Sequence, residues 1–321
     1  MPGKIVIVEG IDRVGKTTLC RKLEKLGFFY FKDSWNILEK DPEINQDSQQ
    51  LPIKNFEYIS LGKLDTSLSM LKLLAAKGVN VVVDRLQISE LVYGIMSRGV
   101  CLAHLVKRLD KMLAELDCMI IHVRPTSYRE ATLRAGYASH DYDMAFINFI
   151  NQCSIGEVRT TYFNDTKILD EVVHFTFSHD FYFASPFFSP EQIEREELLK
   201  SKLRSLGFKV FSPKEACHLA NDACIADRDK VFNDNLQAIK SSLAVFSVTD
   251  GKDVGTIWES GYAFGLDKPI VYYADSLNGR PFNVMLAQSG KNVFTSHSQL
   301  TREALINSII GQAKEFKGLI E

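Results

Sequence analysis

Short runs of aliphatic and β-branched residues alternate with stretches of helical spacing, and this alternation begins twice along the chain. Residues 4–9, Lys4-Ile5-Val6-Ile7-Val8-Glu9, hold a short apolar run of β-branched residues, which predicts a strand buried on both faces. In residues 18–26, Leu19, Leu23 and Leu26 share one stripe and predict a helix. A strand at 28–31 and a polar loop or flap at 41–50 follow. A helix at 64–76 stops at Lys77-Gly78, where glycine suits a C-terminal cap. Further strands are predicted at 79–83, 118–123 and 167–169, with helices at 88–97, 102–116 and 141–152. The pattern restarts near residue 178. A strand at 181–185 leads into a loop framed by Pro186 and Pro190, then a charged helix at 191–206 and a strand at 208–211. A helix at 230–240, a strand at 243–248, a helix from Thr256, a strand at 270–273 and a helix at 302–316 complete it. Strand–helix alternation of this kind predicts an α/β protein of two domains, 1–177 and 178–321, each a mainly parallel sheet flanked by helices.

Composition narrows the partners. The 321 residues are 45% hydrophobic and 24% charged, with a formal net charge of −2, as in an ordinary soluble globular protein. That balance gives no electrostatic reason to expect a nucleic-acid polymer. No apolar run reaches the roughly 20 residues that cross a bilayer, so no membrane partner is expected. The first strand starts almost at once, leaving no room for a signal peptide. Six cysteines without a C-x-x-C pair read as reduced thiols, which fits a cytoplasmic protein. The histidines show no metal-ligand spacing.

Between the first strand and the first helix lies Gly10-Ile11-Asp12-Arg13-Val14-Gly15-Lys16-Thr17, the full phosphate-loop pattern G-x-x-x-x-G-K-[ST]. Gly10 and Gly15 let backbone N–H groups wrap a polyphosphate at a helix N-terminus. Lys16 reaches the β- and γ-phosphates in such a loop, and the Thr17 hydroxyl binds Mg²⁺. ATP and Mg²⁺ are therefore the expected cofactors, with Asp12, Arg13, Val14 and Thr18 completing the ATP-binding residues.

The segment from Glu9 to Thr18 resembles the opening of the thymidylate kinase family, and the resemblance extends over about residues 3–170. Arg13 inside the loop is similar to the family arginine that acts on the transferred phosphoryl group. Asp84-Arg85-Leu86-Gln87-Ile88-Ser89, followed by Tyr93-Gly94, resembles the family's Asp-Arg motif. The resemblance implies that Asp84 helps hold Mg²⁺ and that Asp84 and Arg85 bind the acceptor monophosphate, a dTMP-like deoxynucleotide. Arg124-Pro125-Thr126 with Arg129 and Arg134 looks like the strand end and lid helix. The Arg-Glu-Pro-type segment of the family is missing from residues 32–50, which points to a different or modified acceptor. Phe56, Tyr58, Tyr93 and Tyr137 are candidates to stack on its base.

Asp253-Val254-Gly255-Thr256-Ile257-Trp258-Glu259-Ser260-Gly261-Tyr262-Ala263 looks like the D-x-G-x-x-x-E-x-G-Y-A stretch of nucleoside 2-deoxyribosyltransferases, and this resemblance spans about residues 180–300. It places Glu259 as the catalytic nucleophile, Asp253 as an active-site aspartate and Tyr182 beside the nucleophile. Gly255 and Trp258 fall at the sugar and base. With the helix starting at Thr256, Glu259 lies in its first turn, where the positive end of the dipole favours the carboxylate; an acidic first turn with a structural role alone is the other reading. Asn283 and Met285 resemble substrate contacts that reach a neighbouring subunit's pocket, which implies a homo-oligomer. Where the family often has a carboxylate, this chain has Asn235, with Asp234 one residue away.

The two resemblances together imply a bifunctional enzyme acting on small nucleosides and nucleotides. A 2′-deoxynucleoside 5′-monophosphate N-glycosidase is the alternative for the second half. Asp253 opposes it, because its charge repels a 5′-phosphate, and Lys252 weakens that opposition. A regulatory nucleotide-binding protein with a silent site is the remaining alternative.

Overall fold

The computed structural model describes residues 2–32, 53–216, 225–251, 253–310, 316 and 318–321. The expected flap at 41–50, the Lys252 position and the end of the expected last helix, at 311–315, lie outside the described residues. The chain divides into two compact units, Met1–Val172 and Val173–Glu321.

The first unit is a five-stranded parallel sheet. Its strands are β1 (Ile5–Glu9), β2 (Phe29–Lys32), β3 (Val81–Asp84), β4 (Cys118–Arg124) and β5 (Glu157–Tyr162), in the order β2-β3-β1-β4-β5. The central β1 pairs with both neighbours, Ile5 opposite Val81 on one side and Cys118 on the other. Ile5, Val6, Ile7 and Val8 are completely buried. That is why the run carries no polar alternation: helices cover both faces of a parallel sheet. The helices are α1 (Lys16–Lys25), α2 (Ile53–Ala76), α3 (Gln87–Arg98), α4 (Ala103–Ala114), α5 (Tyr128–Ala135), α6 (Ser139–Ile150) and α7 (Lys167–Thr176).

One prediction fails here. Residues 167–169 open α7 instead of forming a strand, and the fifth strand is Glu157–Tyr162. This strand lies at the sheet edge and is largely exposed, so its polar sequence lacks the buried run that marks the others.

The second unit repeats the architecture. Strands β6 (His179–Ala184), β7 (Val210–Phe211), β8 (Ser242–Val248), β9 (Ile270–Tyr273) and β10 (Asn292–Phe294) form a parallel sheet in the order β10-β9-β8-β6-β7. Helices α8 (Pro190–Ser205), α9 (Pro213–Ala216), α10 (Ile225–Ser241), α11 (Val254–Gly265), α12 (Val284–Ser289) and α13 (Arg302–Ile310) accompany it. The strand order reverses between β6 and β8, the crevice where open α/β sheets bind ligands. Tyr182, Val245 and Tyr272 pack with Ile239 of α10 and Ala263 of α11 into one core. The short β10 and α12 carry no predicted signal. No helix of the described residues is long and apolar enough to cross a membrane.

Candidate functional site

In the first unit β1 delivers the chain into the phosphate loop. Gly10 has φ +136°, and a Cβ there would lie 2.3 Å from the carbonyl oxygen of Val123 on β4, so only glycine fits. Gly15, at φ +95°, caps α1, and a Cβ on it would meet the Phe163 ring at 2.2 Å. Arg13 holds φ +60° without being glycine, and its side chain is exposed.

Lys16 is buried, and its Nζ donates to the carbonyl oxygen of Ile11. Burial, with the nearby Arg85 charge, pushes its pKa down to about 7. The Thr17 hydroxyl donates to Asp84 Oδ2 at 2.6 Å, and the Tyr30 hydroxyl reaches the same oxygen at 3.0 Å. A hydroxyl and a carboxylate side by side are hard oxygen donors suited to Mg²⁺, which keeps several waters and takes phosphate oxygens for the rest. Among the described residues there is no cluster of three or more His, Cys, Asp or Glu able to hold a metal by themselves.

Arg85 sits at φ +73°, pairs with the Asp12 carboxylate and lies over the Tyr93 ring at 5.1 Å. Tyr137 accepts from the Asp12 N–H at 2.9 Å and donates to its Oδ2 at 3.2 Å. Burial raises the Asp12 pKa, but Arg85 and these contacts outweigh it and hold the carboxyl below its usual range. Glu9 is missed as a site residue by sequence reading. It is completely buried and accepts the backbone N–H groups of Leu86 (3.0 Å), Ile88 (3.2 Å) and Ser89 (3.3 Å). Those are the orphan donors at the start of α3, so Glu9 locks the Asp84-Arg85 turn to the end of β1.

A cavity of about 750 Å³ opens over this arrangement, lined by the loop from Asp12 to Thr18 and by Asp84, Arg85, Tyr93, Arg124 and Arg134. Arg134 also pairs with Glu130 at the surface, at 3.2 Å. Arg129 is exposed and does not line the cavity. The side chains of Phe56 and Tyr58 lie outside the described residues.

In the second unit the helix carrying Glu259 begins earlier than its sequence suggests. Asp253 is the N-cap, its Oδ2 accepting from the Thr256 N–H at 2.7 Å and the Thr256 hydroxyl at 2.8 Å. Glu259 therefore lies in the second turn of α11, beyond the reach of the helix-end dipole. The dipole explanation is replaced by a different environment. The buried Tyr182 donates its hydroxyl to Glu259 Oε1 at 2.5 Å, and its ring stacks on Phe211 at 5.6 Å. Burial pushes the Glu259 carboxyl up to about 7; Asp253 adds to the rise and Tyr182 opposes it.

Trp258 is half-exposed and stacks on Tyr262 at 5.5 Å, with Phe232 of α10 at 5.6 Å. A Cβ on Gly255 would come within 3.2 Å of Asp253 Oδ2, so this glycine makes room for the cap. Asp234 is exposed and paired with Lys230 at 2.8 Å, while Asn235 is half-buried. Asn283 caps α12, accepting from the N–H groups of Met285 and Leu286, and the Met285 side chain is 75% exposed. The structure thus joins Tyr182, Glu259 and Asp253 but shows no contact from Asn283 or Met285 to them among the described residues. Asp250 is a further residue that sequence reading missed. Buried after β8, it accepts from the N–H groups of Asp275 and Ser276, both at 3.0 Å, and fixes the loop after β9.

Residues 181–293 match the family model described as Nucleoside 2-deoxyribosyltransferase. A solved 2-deoxyribosyltransferase from Bacillus psychrosaccharolyticus is 32% identical, with 36% of this chain and 85% of that one covered and a TM-score of 0.34. Through this stretch the chain belongs to the nucleoside 2-deoxyribosyltransferase family. Other solved neighbours are thymidylate kinase from Candida albicans (15% identical, 54% of this chain and 92% of that one, TM-score 0.39) and deoxyadenosine kinase from M. mycoides with bound dATP (17%, 53% and 97%, TM-score 0.33). No curated protein matches the chain.

Proposed function

We propose that the chain is a bifunctional enzyme of deoxynucleotide metabolism. The second unit cleaves, and with an acceptor base remakes, the N-glycosidic bond of 2′-deoxynucleosides. The observation that carries this reading is the 2.5 Å contact from Tyr182 to Glu259 inside the family-matched stretch. The Glu259 carboxylate attacks C1′ of the deoxyribose, the C1′–N bond breaks, and its electron pair leaves with the base, which takes up a proton. Water or a second base then attacks C1′ and releases the carboxylate. Asp253 near the sugar favours a free 5′-hydroxyl over a 5′-phosphate. Incubation with each deoxynucleoside and each 5′-monophosphate, followed by chromatography of free base, tests the reading. Release from monophosphates alone would replace it with the N-glycosidase.

Attack requires the ionised carboxylate, so base release should rise with pH through about 7 and level off above it. Tyr182→Phe removes a hydrogen bond that favours the anion and should move that midpoint upward. A kcat/KM profile flat between about pH 5.5 and 8.5 would rule out a nucleophile so perturbed.

The first unit moves the γ-phosphoryl group of ATP to a deoxynucleoside monophosphate, dTMP-like in the family resemblance. Its support is the phosphate loop in a strand–loop–helix setting, with Thr17 and Asp84 within 2.6 Å. Mg²⁺ bound by that pair would neutralise charge developing on the phosphates. Arg13→Ala should lower kinase turnover by about two orders of magnitude, with a much smaller change in ATP affinity. A fall under about tenfold would remove Arg13 from the group acting on the transferred phosphoryl. A homo-oligomer completed through Asn283 and Met285, and a cytoplasmic location, belong to the same reading.

A further inference from the structure

One side-chain cluster of the first unit is absent from that account. Asp143 on α6 is completely buried. Its Oδ2 accepts from Arg124 Nε at 3.0 Å and from the Tyr128 hydroxyl at 2.6 Å, and its Oδ1 lies 3.1 Å from His122 Nε2. Arg124 Nη2 donates to the same Tyr128 hydroxyl at 2.6 Å. The cluster draws together the end of β4, the start of α5 and the body of α6. Burial alone would raise the Asp143 pKa. The close His122 ring, the Tyr128 hydrogen bond and the Arg124 charge more than reverse this and hold the carboxyl below its usual range.

The consequence is a guanidinium fixed along one edge. Arginine carries five N–H donors, and the Nε–Nη2 edge is committed to Asp143 and Tyr128. Arg124 is also one of the residues that line the cavity shared with Lys16 and Arg13. Its main chain is fixed too, because Gly10 of the phosphate loop packs against the carbonyl of the preceding residue, Val123. Neither lid arginine is held in this way: Arg129 does not line the cavity, and Arg134 is paired only at the surface.

We propose that Arg124 is a catalytic residue that grips the transferred phosphoryl group, and that Asp143 and Tyr128 are its positioning residues. The proposal rests on reading this unit as a phosphate-loop phosphotransferase. A donor oriented before the substrate arrives needs no reorganisation as charge develops, which is where electrostatic catalysis gains most.

The test compares variants of the full chain for ATP turnover with deoxynucleoside monophosphates and for ATP binding by calorimetry. Arg124→Ala should lower kcat by about a hundredfold or more while ATP affinity changes far less. Millimolar guanidinium ion should restore part of the rate to Arg124→Ala and none to Lys16→Ala. Asp143→Asn should lower kcat in the otherwise wild-type chain and add nothing in the Arg124→Ala background, since both then lack the same oriented group. Arg124→Lys keeps the charge without the two-point clamp and should also be slow; it serves if the alanine variant folds poorly. Additive losses without guanidinium rescue, or near-normal turnover in the Arg124 variants, would overturn the proposal and leave the phosphotransferase reading standing. A wild-type chain that turns over no ATP with any acceptor would overturn both.

Discussion

Glu259→Ala is expected to take base release from deoxynucleosides below about a thousandth of the wild-type rate, the scale on which loss of a covalent nucleophile acts. No neighbouring group can substitute. The Asp253 Oδ2 is engaged by Thr256, and Asp234 is paired with Lys230 on the exposed face of α10. Alanine also removes the hydrogen bond from the buried Tyr182 hydroxyl, a cost of about 1 kcal/mol in stability. Glu259→Gln separates the two effects, because its amide oxygen still accepts from Tyr182 while the nucleophile is gone. Both variants should be inactive, and the glutamine variant should melt near the wild-type temperature. In the wild-type chain a 2′-fluoroarabinosyl nucleoside, slow to deglycosylate, should leave a sugar-sized adduct between Thr256 and Tyr262. Two successive displacements give net retention at C1′. An inverted product, or an adduct on Asp253 or Asp234, would assign the nucleophile elsewhere.

The parts of these sites legible in sequence are those where local geometry dictates residue type. Gly10 and Gly15 can be nothing else, because neighbouring atoms occupy the space of a Cβ and both hold positive φ. The central strands are equally plain, since burial on both faces keeps Ile5–Val8 and Val81–Val83 wholly apolar. β5 is hidden for the opposite reason: at the sheet edge its residues answer to solvent. The spacing from Asp253 singles out Glu259, but the cause of its altered chemistry depends on where α11 begins. Asp253 is of the residue type that favours an N-cap, and in that role it starts the helix at Val254. Glu9 with Ser89, and Tyr182 with Glu259, are 80 and 77 residues apart, and no periodicity announces such partners. Arg124 and Asp143 are closer in sequence, but only the packing of α6 on α5 and the end of β4 reveals that one holds the other.

Lys16→Ala should abolish ATP turnover while leaving base release nearly intact. In the structure Lys16 is a buried amine with its pKa pushed down to about 7, hydrogen-bonded to the Ile11 carbonyl. A polyphosphate entering the loop adds negative charge to that of Asp12, Asp84 and Glu9, which restores the ammonium and couples ATP binding to proton uptake near pH 7. That uptake is a second readout. Calorimetry in buffers of different ionisation enthalpy should show protons taken up by the wild-type chain and fewer by Lys16→Ala. The folded chain should not suffer, because an amine whose folded-state pKa lies below its unfolded value of 10.5 costs stability as pH falls below 10.5, in full below about 7. Its removal should leave the thermal midpoint at pH 8 unchanged or higher, so lost turnover cannot be put down to unfolding. In the proposed mechanism base release runs through Tyr182 and Glu259, which belong to the other compact unit. Loss of both activities at full stability would show that the two chemistries are coupled, and ATP turnover surviving in Lys16→Ala would remove this loop from phosphoryl transfer.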